Sequence, residues 1–134
     1  VPHLTGFAHI ATVHPDGRPH VAKVAPAVDG EVLWIASRVT SRKARNIAAD
    51  PQVALMFEPR AEAYVQAEAE LVTDLATKER IWSSGLFPFP LETFFGSFDD
   101  PDFVLIRLTP TSAILMSQDA AGIRRDSWTR PADH

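Results

Sequence analysis

The chain contains no cysteine, which excludes disulfides, thiolate metal sites and a thiol nucleophile and removes the commonest mark of an oxidising compartment. Long apolar runs are missing too. None approaches the roughly 18 residues that a spanning helix needs, and the opening "VPHLTGFAHI" lacks the basic-then-apolar layout of a signal peptide. A soluble, cytoplasmic protein is the expectation. Positive charge is not in excess: 13 Lys and Arg against 17 Asp and Glu leave a net charge of −4, so the molecule as a whole attracts neither nucleic acid nor an acidic membrane. There is no G-x-S-x-G elbow, which disfavours a hydrolase. His3, His9, His14, His20 and His134 do not fall at metal-ligand spacing on one helix, and no metal site is expected.

What is present fits one domain. A chain of 134 residues is long enough for a single core and shows no repeat or low-complexity linker, so residues 1–134 read as one unit with 117–134 as a C-terminal tail. "FAHIATVH" reads as a first strand and ends in "PDG", where Gly17 supplies the positive φ of a tight hairpin. "RPHVAKVAPAV" is a second strand, stopped by Asp29-Gly30, and "EVLWIAS" a third; together they suggest a meander. "QVALMF" follows as a buried strand. "AYVQAEAELVTD" alternates strictly, with Tyr64, Gln66, Glu68 and Glu70 wet and Val65, Ala67, Ala69 and Leu71 dry. "LATKERIWSSG" is a short helix, "FPFPLETFFGSFDDPD" a long aromatic loop, and "DFVLIRLTPTSAILM" a strand bent at Thr109-Pro110. Six strands and two short helices in this order predict a mainly β fold, an antiparallel barrel with helices over its ends.

The stretch "VTSRKARNIAADPQVALMF" carries the clearest functional signal. Thr40 or Ser41 is positioned as an N-cap, Ala44, Ile47 and Ala48 form a narrow apolar stripe, and Pro51 ends the helix. Ser41, Arg42 and Lys43 therefore crowd the positive end of the macrodipole, where acids are the ordinary choice. Solvated surface charge would explain a basic triplet taken alone. Its place at a cap, where unpaired N–H groups already favour anions, points to a bound anion instead. Trp34 reads as barrel core or as the seam of a dimer. Trp82, Phe87, Phe89, Phe94, Phe95 and Phe98 read either as core or as a lid and partner surface.

In order and spacing, "DGRPHVAKV", "DGEVLWIAS", "SRKARNIAADPQVALMF" and "QAEAELVTD" resemble the pyridoxamine 5′-phosphate oxidase-like family of FMN-binding split barrels. The later "FDDPDFVLIRLTPTSAIL" is similar to the closing strand of its general stress protein group. The resemblance runs from about Phe7 to Leu115. It implies a six-stranded antiparallel FMN-binding split barrel and a homodimer with the cofactor in clefts between subunits. By the same resemblance Arg42 and Lys43, with Ser41 nearby, grip the FMN phosphate; Ala36 and Ser37 pass close to the flavin and its ribityl chain; and the strand Val21, Ala22, Lys23, Val24 lines the ring. Lys23 stands where many relatives have arginine. Trp82 joins the cofactor set as part of the aromatic lid, and His20, beside the flavin strand, is the histidine to test as a proton donor.

Chemistry supports that division of labour. A phosphate suits both bidentate Arg and point-charge Lys, a flat ring suits apolar walls, and the redox step belongs to the cofactor, so no dedicated catalytic side chain is required. "GIRRDSWTRPADH" lacks the Trp and Arg-x-His pattern with which true pyridoxamine phosphate oxidases bind substrate, so vitamin B6 is not the expected substrate. Three classes stand side by side: an FMN oxidoreductase acting on a small molecule, a deazaflavin-dependent reductase, and a non-catalytic module holding flavin or a tetrapyrrole.

Overall fold

The computed structural model describes residues 6–58 and 62–131; His3 and His134 lie outside them. Eight strands form one antiparallel sheet: β1 Ala8–Val13, β2 Pro19–Val24, β3 Ala27–Asp29, β4 Val32–Arg38, β5 Gln52–Phe57, β6 Glu62–Val72, β7 Phe103–Asp119 and β8 Gly122–Thr129. Helix α1 spans Arg42–Ala49 and α2 Leu75–Trp82, with a 3-10 turn at Leu91–Thr93. The fold is mainly β, as the alternation predicted. Among the described residues there are eight strands rather than six, because the second expected strand divides and the expected tail pairs as a strand of its own.

The order across the sheet is β2-β1-β5-β6-β7-β4-β3, with β8 on the second half of β7. β2 and β3 thus lie at opposite edges although only Ala25 and Pro26 separate them in the chain. Three Cα steps of about 3.8 Å bring the two edges within about 11 Å of each other. The sheet must therefore curl into a barrel that is split, not hydrogen-bonded, at that seam. The expected meander is corrected here: β2 pairs with β1, whereas β4 pairs with β3 and β7. Pro26 has no N–H to donate, so one continuous strand becomes two at that residue.

The second difference is at the C-terminus. Residues expected as a tail extend β7 and turn back as β8, from Ser112 paired with Thr129 to Asp119 paired with Gly122. The bend near Pro110 is a bulge: the β6–β7 register shifts between Gln66 and Ala67, leaving Thr111 unpaired on the ladder. The Thr111 hydroxyl donates to the Gln66 carbonyl at 3.2 Å, and the Arg130 N–H donates to the Thr111 carbonyl at 2.9 Å, so the bulge is paid back in side-chain and β8-end bonds.

Two cores result. Inward residues of β1, β5, β6 and β7, with Ile10, Leu55, Phe57, Val65 and Leu108 among the most buried, fill the barrel. A second cluster under the aromatic loop joins Trp34, Ile81, Phe87, Phe95, Phe103 and Leu105. Trp34 is core, with its indole N–H donating to Asp29 Oδ2 at 3.0 Å. Helix α1 buries Ala44, Asn46 and Ile47 against β1, β2 and β6. Ala48, expected on the apolar stripe, is exposed, and the polar Asn46 takes the buried place.

Candidate functional site

The end of β4 and the start of α1 are joined by Val39 and Thr40, and three local features hold this corner. Ser41 is the N-cap, its hydroxyl accepting from the Ala44 N–H at 3.2 Å. The Ser41 carbonyl accepts from the Arg45 N–H, which leaves the N–H groups of Arg42 and Lys43 as the unpaired donors of the first turn. Ser37, buried at the end of β4, places its Oγ 3.0 Å from Ser41 Oγ. Asp102 clamps the connection: its Oδ1 accepts from the Thr40 hydroxyl at 3.2 Å, and its carbonyl accepts from the Val39 N–H at 2.9 Å.

An open cavity of about 330 Å³ lies at this corner. Its wall is made by Ala36, Ser37 and Ser41 with the polar Arg38, Thr40 and Lys43, and by Phe94 and Phe95 of the aromatic loop. Arg38 fixes that loop. Its guanidinium donates to Asp102 Oδ2 at 3.2 Å and to the Phe94 carbonyl at 2.6 Å, and it lies over the Phe95 ring at 5.2 Å from the centroid.

The charges of the wall are not equivalent. Arg38 is neutralised by Asp102. Lys43 has no carboxylate within ion-pair reach among the described residues, and burial alone lowers its ammonium from the usual lysine value of 10.5. Burial pushes the Asp102 carboxyl up, but hydrogen bonds from Arg38 and Thr40 outweigh this and leave it below 3.8. The corner is therefore a cavity with one partly desolvated, uncompensated cation, two adjoining hydroxyls and free backbone donors. That set accepts an anion.

Of the residues singled out from sequence, Ala36, Ser37, Ser41 and Lys43 meet on this cavity. Arg42 is half-buried at the helix start beside it but does not line it. The β2 residues lie elsewhere. Ala22 and Val24 pack with the barrel core, while Val21 is 65 % exposed and Lys23 projects to the same outer face, its ammonium 4.5 Å from the Phe7 ring centroid. His20 alternates with Val21 and so faces Thr12 and α1, away from that outer face. Trp82 does not reach the cavity. It stacks edge-on against Phe103 with centroids 5.3 Å apart and borders a separate cleft of about 160 Å³ with Phe87 and Phe89. Thr40 was expected only as an alternative N-cap and Arg38 not as a site residue, because their partner, Asp102, lies more than sixty positions away. No cluster of three or more potential metal ligands occurs among the described residues, and no described helix is long and apolar enough to cross a membrane.

The family described as Pyridoxamine 5′-phosphate oxidase matches residues 3–117, and the chain belongs to it. It is 29% identical over 114 residues to General stress protein 26 of Bacillus subtilis (strain 168), covering 81% of this chain and 77% of that protein. Among solved structures, General Stress Protein 26 from Bacillus anthracis str. Sterne superposes with a TM-score of 0.73 at 21% identity, over 96% of this chain and 94% of that one. An F420 Reductase structure matches at 30% identity with a TM-score of 0.60, over 83% of this chain and 90% of that one. The shared fold is thus the split barrel of this family.

Proposed function

We propose that the protein binds FMN and works as a flavin-dependent oxidoreductase on a small molecule other than pyridoxamine phosphate. The observation that carries this reading is Lys43: a half-buried ammonium, unpaired among the described residues, that shares a cavity with Ser37, Ser41 and the first turn of α1. Desolvating a cation without a partner is unfavourable unless a ligand supplies the counter-charge. A phosphate monoester does so and also accepts the one hydroxyl proton that the Ser37–Ser41 bond leaves free, together with the free N–H groups. Lys43, Ser41 and Ser37 would hold the phosphate, Arg42 would add its charge from the rim, and Ala36 would leave room for the sugar chain. The bound flavin would supply the electron or hydride transfer.

A cavity of about 330 Å³ is at the small end of ligand sites. It suits the phosphate and sugar chain better than a whole flavin, so the ring needs a second surface. A second copy of the chain is the proposed source. Phe7, just before β1, with Val13, Val21 and Tyr64 on β1, β2 and β6, are large side chains left exposed, apolar surface that a second copy would cover. Val21 and Lys23 would then meet the ring from that face in a homodimer. A deazaflavin in place of FMN is the second reading, favoured by the 30% identity to an F420 Reductase.

The test is anaerobic reduction of the reconstituted protein by a reduced nicotinamide or a reduced flavin, followed by stopped-flow reoxidation with a panel of acceptors. Turnover is expected only with cofactor bound. Replacing Phe94 and Phe95 together by Ala should change acceptor preference more than cofactor affinity, because they supply apolar lining and no charge or side-chain donor for a phosphate. A bound flavin that no donor reduces would leave a binding module and refute the oxidoreductase.

A further inference from the structure

Beneath the proposed phosphate site, α1 meets the first hairpin through a small polar cluster inside the barrel. Asn46 is fully buried, and its Nδ2 donates to Thr12 Oγ1 at 3.0 Å. Thr12 is buried on β1 and stands opposite His20 in the β1–β2 register. Two buried atoms, Asn46 Oδ1 and His20 Nδ1, have no hydrogen-bond partner among the described residues. Turning the Asn46 amide over does not help, since one end would still face Thr12 and the other would be left over. The Thr12 hydroxyl, already accepting from Asn46, has its own proton still to donate. Orphaned buried groups cost about 1–3 kcal/mol each, and two on elements that pack together, α1 and β2, are seldom left so.

We propose that Thr12, His20 and Asn46 together bind one buried water molecule, and that this bridge sets the position of α1, and with it of Lys43, against the β1–β2 hairpin. The donors and acceptors balance. The water accepts from the Thr12 O–H, donates to Asn46 Oδ1 and exchanges its third bond with His20 Nδ1, which matches the three partners usual for an internal water. Asn46 lies three residues beyond Lys43 on a helix of only eight, so a shift at this contact is carried to the cationic end. Thr12, His20 and Asn46 act in this proposal as positioning residues. The second half of the proposal rests on the phosphate reading of Lys43.

Two measurements on the full chain test it. A high-resolution crystal structure of the unsubstituted protein should show one oxygen peak within hydrogen-bond distance of Thr12 Oγ1, Asn46 Oδ1 and His20 Nδ1; a direct His20–Asn46 bond with no such peak overturns the water site. Binding of FMN and of riboflavin is then compared in Thr12→Val, Thr12→Ser and Lys43→Ala. Thr12→Val, equal in volume but without the hydroxyl, should lower the preference for FMN over riboflavin about tenfold, the loss of one well-placed charge-assisted bond, while Thr12→Ser retains it. If Thr12→Val folds and keeps the preference while Lys43→Ala loses it, the positioning role is refuted and the phosphate site stands. If Lys43→Ala also keeps it, the phosphate site itself is refuted, and the positioning role falls with it.

Discussion

Replacing Lys43 by Ala separates a phosphate site from a chance cluster of charge. In the structure its ammonium shares a cavity with Ser37 and Ser41 and has no carboxylate partner among the described residues. Removing a charge-assisted hydrogen bond of this kind should cost about 1.5–3 kcal/mol, or roughly ten- to hundredfold in FMN affinity. Riboflavin, which has no phosphate, should bind the variant and the original protein alike. The pH dependence has a definite sign. Burial lowers the Lys43 value below 10.5, so the charged form is disfavoured in the folded chain. Its destabilising contribution is fully present below that lowered value and disappears as the pH rises from there to 10.5. FMN binding, which needs the charge, should weaken over the same alkaline window, and in Lys43→Ala that pH dependence should flatten. Isothermal titration of both flavins between neutral pH and 10.5 measures both effects. Equal weakening of FMN and riboflavin, or an unchanged alkaline slope in the variant, would refute the assignment.

Asp102→Asn should loosen the clamp on Arg38 and Thr40, seen as faster hydrogen exchange at residues 94–97 with the barrel strands unaffected. The same clamp should weaken in acid: the Asp102 value is held below 3.8, so its stabilisation is present above 3.8 and is lost as the pH falls through the lowered value, which exchange against pH can follow. Phe103→Ala removes a fully buried ring that touches Trp82 and Phe95 and should lower stability by about 3–5 kcal/mol; a denaturant midpoint that does not move would contradict the second core. Light scattering after size exclusion should give twice the chain mass, and Val21→Asp on the exposed face should shift the species to monomer.

Local pattern carried much of the fold into the sequence. The strict alternation of 62–72 became β6 with Ala63, Val65, Ala67 and Ala69 buried, and Gly17 and Gly30 sit at positive φ in the two expected turns. A hydroxyl cap at Thr40 or Ser41 before a short apolar stripe was sufficient to locate α1 and the cation at its start, and the structure gives the cap to Ser41. What local pattern could not show was pairing. "RPHVAKVAPAV" has no glycine, Asn or Asp to mark a turn, so nothing but Pro26 hints that it divides between opposite sheet edges. β8, "GIRRDSWT", is exposed at every position and lacks the apolar face by which a strand is recognised. Nothing local to Arg38 marks its role, because Asp102 and Phe94 reach it from distant segments. Asn46 occupies a core position that composition assigns to Ala48, because Thr12 supplies its partner.

The most direct test is the visible spectrum and stoichiometry of the purified protein after saturation with FMN and removal of the excess. The account predicts a yellow protein with two visible bands and one FMN per chain, lost on substitution of Lys43. A protein that retains no flavin under these conditions, or that binds only a deazaflavin with its single band at shorter wavelength, would contradict it.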